Sequence, residues 1–87
     1  MLVLYPIEAY SHAETMIVAH LPAEGILINA DMFVPGEPGA SYPDFRLRDM
    51  RVLGRNIERL DIDVARHVGL HGGIASNDEF LRAIAVR

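Results

Sequence analysis

The sequence predicts an α+β domain with a mainly antiparallel or mixed sheet and the element order β-β-β-α-β-α. Three observations carry this prediction. Residues 2–30 contain short apolar runs, the middle of the chain has apolar residues spaced three and four apart, and a helix-capping pattern stands near the C-terminus. With 87 residues, the chain makes one domain at most.

The N-terminal third reads as three strands. The first, over residues 2–9, contains Pro6, which suits an edge strand because proline cannot donate a hydrogen bond to a neighbouring strand. The next two, over residues 15–21 and 25–30, are separated by a short polar turn at residues 22–24 that is typical of a hairpin. Neither run alternates cleanly between apolar and polar residues, so we expect both strands to be covered on both faces.

A loop rich in proline and glycine, over residues 33–43, leads to a helix predicted over residues 44–60. The helix is indicated by four apolar positions on one face of a 3.6-residue period: Met50, Leu53, Ile57 and Leu60. An adjacent stripe of four arginines indicates a solvated face, with an anionic-substrate site as the alternative: Arg48, Arg51, Arg55 and Arg59.

A short strand over residues 65–70 and a terminal helix complete the predicted order. Ser76 and Glu79 form a capping box, in which each residue satisfies a free backbone donor of the other. In the helix that follows, Phe80, Leu81 and Ile84 are expected to face the core.

The composition limits the partners and the compartment. Hydrophobic residues make up 51% of the chain, and so short a chain keeps part of that surface exposed unless a partner covers it, so we expect self-association or a missing half. A net charge of −4 argues against binding to nucleic acid, and the absence of cysteine excludes disulfides. No secretory signal or membrane-spanning run is present, so a cytoplasmic protein without a membrane partner is expected.

Three residues with metal-binding side chains stand where predicted strands end. His12 lies between the first two strands, Asp31 follows the third and His71 follows the fourth. Two imidazoles and a carboxylate suit zinc and leave a fourth position open for a water that the metal can activate. Each of these residues is also common in turns and on surfaces, so their spacing alone leaves a shared metal site and three unrelated loop residues both open.

The same three residues carry a resemblance to the metallo-β-lactamase superfamily. The stretch from Ser11 to Asp31 resembles a recurring stretch of that superfamily, in which a histidine precedes a strand, a Leu-Pro turn follows (Leu21-Pro22 here) and the next strand ends in an aspartate. The later Leu70-His71-Gly72 is similar to the superfamily's final strand-terminal His-Gly. The resemblance covers about residues 10–85.

The resemblance implies a role for each of these residues. His12 would match the third histidine of the first metal site, Asp31 the carboxylate that bridges two metals, and His71 the last ligand of the second site. The metal implied is zinc, with iron or manganese as alternatives. The fold implied is an αββα sandwich, of which the whole chain (residues 1–87) would be a single partial domain, the C-terminal half. Members hydrolyse β-lactams, thioesters, lactones and phosphodiesters, so the resemblance does not name the small-molecule substrate.

The chain also departs from the family, because the leading His-x-His-x-Asp-His motif has no match. His20 is expected to be a packed or edge residue of a strand, and His67 a peripheral residue, so neither replaces the motif. The predicted function is therefore a metal-dependent hydrolase of metallo-β-lactamase type, present as a truncated half with an incomplete active site, no assigned catalytic residue and little or no turnover. The alternatives are a homodimeric module with a mononuclear or vestigial metal site and a non-catalytic protein-interaction module.

Overall fold

The fold is given by a computed structural model that describes residues 1–7, 16–30, 32–37, 39–70 and 72–85. The chain is an α+β fold with one five-stranded mixed sheet and two helices. The elements follow in the order β1 (Val3–Ile7), β2 (Met16–Leu21), β3 (Ile26–Asn29), α1 (Asp44–Leu60), β4 (Arg66–Gly69), β5 (Ile74–Ser76) and α2 (Asn77–Ile84). The predicted class is confirmed, and the predicted order is corrected by one strand, β5, which is only three residues long.

The strands lie in the sheet in the order in which they occur along the chain, β1-β2-β3-β4-β5. Pairing is antiparallel except between β3 and β4, which are parallel and joined through α1. The predicted edge strand is confirmed, since β1 with Pro6 lies at one side of the sheet. The predicted hairpin is also confirmed: the Gly25 N–H donates to the Pro22 carbonyl at 3.3 Å, and Gly25 closes the turn with a φ of 65° that favours glycine.

The hydrophobic core lies between the two helices and one face of the sheet. From the sheet it takes Val18 of β2 and Leu27 of β3, and from the helices it takes fully buried residues such as Leu53 and Phe80. Phe33, in the loop after β3, is also buried there and packs against the Phe80 ring with centroids 5.0 Å apart. Burial of these large side chains is the main force that holds the helices to the sheet.

The opposite face of the sheet is apolar and open. Cross-strand partners share a face, and one row of such partners crosses all five strands. Its members are Leu4, Ala19, Ile28, Val68 and Ile74. The exposed fractions of Leu4 and Ile74 are 60% and 69%, and that of Ile17 in β2 is 53%, so the expectation that β2 is covered on both faces is wrong for the described chain. Clean alternation is absent because both faces carry apolar side chains, although only one face is covered. We call this second surface the open face.

The predicted bounds of α1 are confirmed at both ends, and two of its four apolar positions, Met50 and Leu53, are fully buried. One arginine of the stripe has a structural role, because Arg51 Nε donates to the Ile84 carbonyl at 3.0 Å and so ties α1 to the end of α2. No helix in the described part of the chain has the length and apolar character needed to cross a bilayer.

The helix α2 begins at the predicted cap, Ser76, but only one of the two predicted capping-box bonds is present, because the Glu79 carboxylate accepts from the Ser76 hydroxyl and not from its backbone N–H. Ser76 Oγ accepts a hydrogen bond from the Glu79 N–H at 3.1 Å and donates to Glu79 Oε1 at 3.3 Å. Phe80 is fully buried, but Leu81 is 48% exposed, so its predicted place in the core is wrong. Successive residues of a helix lie about 100° apart around its axis. Leu81, which follows the buried Phe80, therefore turns away from the sheet.

Candidate metal centre

The three predicted ligands, His12, Asp31 and His71, lie outside the described residues. The structure therefore describes the strands and loops next to them. Residues 8–15 connect β1 to β2, position 31 is the second after β3, and position 71 is the second after β4. The geometry of the candidate site therefore depends on where these described strands begin and end.

All of these connections leave the same edge of the sheet. The strands β3 and β4 are parallel and end level, with Asn29 paired to Gly69. The strand β2 runs antiparallel to β3, so it begins where β3 ends, and its first residue, Met16, pairs with Ile7 at the end of β1. We call this border of the sheet the Asn29 edge. It gathers the connection that contains His12 and the two strand ends that precede Asp31 and His71.

The chain after β3 packs directly on the turn after β4. The Gly73 N–H points to the Pro35 carbonyl at 3.4 Å. A Cβ added to Gly72 would lie 2.8 Å from Val34 Cγ1, and one added to Gly69 would lie 2.9 Å from Pro35 Cδ. Glycine is needed at this close approach because a side chain would force the two segments apart. The segments that flank Asp31 and His71 are thus held in mutual contact.

Asn29 is a polar residue of this edge that the sequence patterns did not single out. Its side chain is buried, and its Oδ1 accepts a hydrogen bond from the Phe33 N–H at 2.9 Å, which turns the chain after β3. Its Nδ2 has no hydrogen-bond partner within the described residues. A buried amide donor without a partner is costly, so Asn29 can donate to a ligand or an acceptor group brought to this edge.

His67 was predicted to be peripheral, and this prediction is wrong. The side chain is fully buried, stacked on Phe80 with ring centroids 4.4 Å apart and edge-on to Phe33 at 5.3 Å. Its Nε2 lies 2.9 Å from Asn77 Oδ1, an oxygen that only accepts, so Nε2 carries the proton. Burial lowers the pKa of His67, and the opposing effect of the Asn77 hydrogen bond is smaller. A neutral imidazole enclosed by aromatic rings supports the core and does not replace a missing metal ligand.

His20 is a packed strand residue, as predicted. It is buried, and its Nε2 lies 2.9 Å from the Asp63 carbonyl oxygen. It stands near the end of β2, at the border of the sheet opposite the Asn29 edge. Its position and its hydrogen bond give His20 a structural role.

Among the side chains that the structure describes, no group of three or more His, Cys, Asp or Glu could hold a metal ion. The shared metal site of His12, Asp31 and His71 stays a prediction. Their donor set of two imidazoles and one carboxylate fits zinc and is also accepted by iron and manganese.

No protein-family model matches the chain, and no curated protein matches it. The likeness to the metallo-β-lactamase superfamily therefore rests on the motifs around the three candidate ligands.

The buried His67 predicts a loss of stability in mild acid. Its folded-state pKa lies below the ordinary 6.5, so the unfolded chain takes up the proton first as the pH falls. The contribution of His67 to the free energy of unfolding is fully present above pH 6.5. It is lost as the pH falls from there toward the folded-state pKa, and the free energy of unfolding then changes by at most about 1.4 kcal/mol per pH unit. Urea unfolding of the wild type and His67→Phe between about pH 5 and 8 measures this. We expect a shallower pH dependence in the variant, and equal slopes would contradict the assignment.

The contact between residues 34–35 and the turn after β4 predicts that alanine substitutions at two neighbouring glycines differ in their effect on stability. Gly72→Ala should lower the free energy of unfolding by about 1–3 kcal/mol, because its methyl group meets Val34 and the Pro35 backbone. Gly73→Ala is the matched control, since the nearest atom to its Cβ is the Pro35 oxygen at 3.8 Å. Denaturant unfolding compares the two variants, and equal stability would argue against the close packing of these segments.

Proposed function

We propose that this chain is the metal-binding C-terminal half of a metallo-β-lactamase-type hydrolase. The observation that carries the proposal is the Asn29 edge, which gathers the connections and strand ends next to His12, Asp31 and His71. In a metal site, ligands far apart in sequence must converge within about 2 Å of one ion. A shared sheet edge, with the flanking loops in contact, satisfies the first condition for that convergence.

The open face supports the same proposal. In an αββα sandwich, each sheet carries helices on its outer face and turns an apolar face toward the other sheet. Here both helices pack on one face, and the other face is apolar and exposed at Leu4, Ile17 and Ile74. This distribution of apolar residues is what one half of such a sandwich requires.

The chemistry would be metal-assisted hydrolysis. His12, Asp31 and His71 would hold the ion, which would supply an acidified water and polarise an ester, thioester, amide or phosphodiester group of the substrate. The chain's own contribution is to position these ligands: the contact of Gly72 with Val34 fixes the two loops, and the Asn29 amide offers a buried donor at the same edge. Metal ligands depend on such supporting contacts for their orientation.

The chain alone is expected to turn over little or no substrate. The sequence has no His-x-His-x-Asp-His motif, and both His20 and His67 already hold hydrogen bonds inside the fold. A complete binuclear site would need ligands from a second half. A hydrolase assay on the metal-loaded chain that gave substantial rates would contradict this part of the proposal.

Metal analysis with matched variants tests the proposal. We expect the purified chain to bind about one zinc per molecule. We expect His12→Ala, Asp31→Asn and His71→Ala each to weaken zinc binding by roughly tenfold or more in calorimetric titrations, since each removes one of the three ligands.

His20→Gln is the control, because it removes a histidine of the same sheet whose ring is bound to the Asp63 carbonyl at the opposite border. It should leave zinc affinity unchanged, with circular dichroism used to check that each variant is folded. A wild-type chain that binds no zinc, or equal affinity in all four variants, would overturn the proposal.

A further inference from the structure

The open face is continuous across the whole width of the sheet. Beside the row from Leu4 to Ile74, it includes Pro6, Ile17, Leu21 and Ile26, which the strand register places on the same side. Leu4, Ile17 and Ile74 are each more than half exposed. We infer that this face is an interface between two copies of the chain, packed sheet against sheet. The inference concerns this chain by itself, in which a second copy would take the place that the other sheet holds in a complete sandwich, and it stands or falls separately from the metal site.

The charge distribution of the face suits a second copy. Although the chain has twelve acidic residues, none of the described ones lies on the open face. Its only charged side chain in the described strands is Arg66, which is exposed and starts β4 at the border opposite the Asn29 edge. Two such faces can meet without burying like charges at the centre, while the long stem of Arg66 can keep its guanidinium at the rim.

The size of the face suits a small interface between two copies. The five strands contain 22 residues, and at about 3.3 Å per residue with strands about 4.8 Å apart they give a footprint of about 350 Å² on each copy. The two footprints together amount to about 700 Å², and projecting side chains raise the accessible area, so the contact would be a small interface of the weak or transient class. An apolar patch of this extent lies within the range of about 300–600 Å² found for the largest patch on a monomer, which is often a functional surface.

A second copy also supplies the shape that the face requires. Stacked sheets pack well when their twists match, with strands about 30° apart, and an identical sheet has the same twist. A twofold axis that runs along the strands, about 15° from β3, would set β1 over β5 of the second copy and β2 over β4. Leu4 would then face Ile74, the small Ala19 would face Val68, and Ile28 would face its own counterpart at the centre.

This orientation is favoured over a twofold axis that runs across the strands. An axis across the strands would face Ala19 with Ala19 and leave a gap, whereas the axis along the strands places the larger Val68 opposite Ala19. The axis along the strands also brings the Asn29 edges of both copies to the same side. The second copy would thus occupy the position of a second sheet next to the candidate metal centre.

Analytical ultracentrifugation of the full chain at increasing concentration tests the inference. We expect a monomer–dimer equilibrium in which Leu4→Lys and Ile74→Glu each weaken self-association by roughly tenfold or more, because each buries an unpaired charge. Both residues are exposed in the single chain, so the fold should survive. Mixing the two variants should restore the dimer, because the introduced lysine of one copy then faces the introduced glutamate of the other.

Two controls accompany this experiment. Leu81→Glu places a charge on an exposed leucine of α2, away from the open face, and should leave the dimer unchanged. His71→Ala should also leave it unchanged, even where zinc binding is lost, which separates this inference from the metal proposal. If circular dichroism shows that a charged variant is unfolded, the milder Ile17→Ser takes its place and should also weaken the dimer.

A wild-type chain that stays monomeric at every concentration would overturn the inference, including a monomer that binds phosphatidylcholine vesicles through this face instead. A dimer that Leu4→Lys, Ile74→Glu and Ile17→Ser leave intact would overturn it as well, because the contact would then lie elsewhere. Failure of the mixed variants to associate would contradict the proposed facing of β1 with β5.

Discussion

Parallel pairing of β3 with β4 requires the chain to return from one border of the sheet to the other before the second strand can begin. The helix α1 makes this return, and with 17 residues it is about 26 Å long, more than enough to span a strand of four residues. Because both strands then run in one direction and end level, the connections that follow them leave from the Asn29 edge. The antiparallel β2 begins at this edge, and so adds the connection from β1. The candidate metal centre depends on this pairing.

The same crossover decides which face of the sheet is covered. With α1 and α2 on one side, Val18, Leu27 and Phe80 form a core with Phe33, and no element among the described residues covers the other side. A sheet with two apolar faces and helices on only one of them exposes apolar side chains to water. Such exposed leucine and isoleucine side chains favour association. The open face and the Asn29 edge are therefore two consequences of one topology: the proposed dimer would use the first, and the proposed metal site would lie at the second.

The parts of the fold that local patterns determine were predictable from the sequence. The bounds of α1, the turn before Gly25 and the Ser76 cap follow from periodicity, turn residues and capping within a few positions of the chain. The strand β5 was missed because three residues do not establish a period. His67 was misplaced because a four-residue strand shows which residues share a face, but the tertiary packing of Phe33 and Phe80 decides which face is buried.

The candidate site was predictable only in part. The residue types at positions 12, 31 and 71 could be read from the sequence, but the register that brings their neighbours to one edge is a long-range property. Asn29 escaped notice because a single asparagine at the end of an apolar run is most often a turn residue, and only the fold shows that its Nδ2 is buried with no partner among the described residues. The contact between Gly72 and Val34 joins positions far apart in the chain, and no local pattern indicates it.

The central claim is that one metal ion is shared by side chains from separate connections at the Asn29 edge. Imidazole ¹⁵N chemical shifts during a zinc titration test it most directly, because each histidine reports on its own ring. The account predicts that the resonances of His12 and His71 shift together and saturate at one zinc per chain, while those of His20 and His67 keep their positions. Shifts confined to a single histidine, or none at the stoichiometric point, would contradict it.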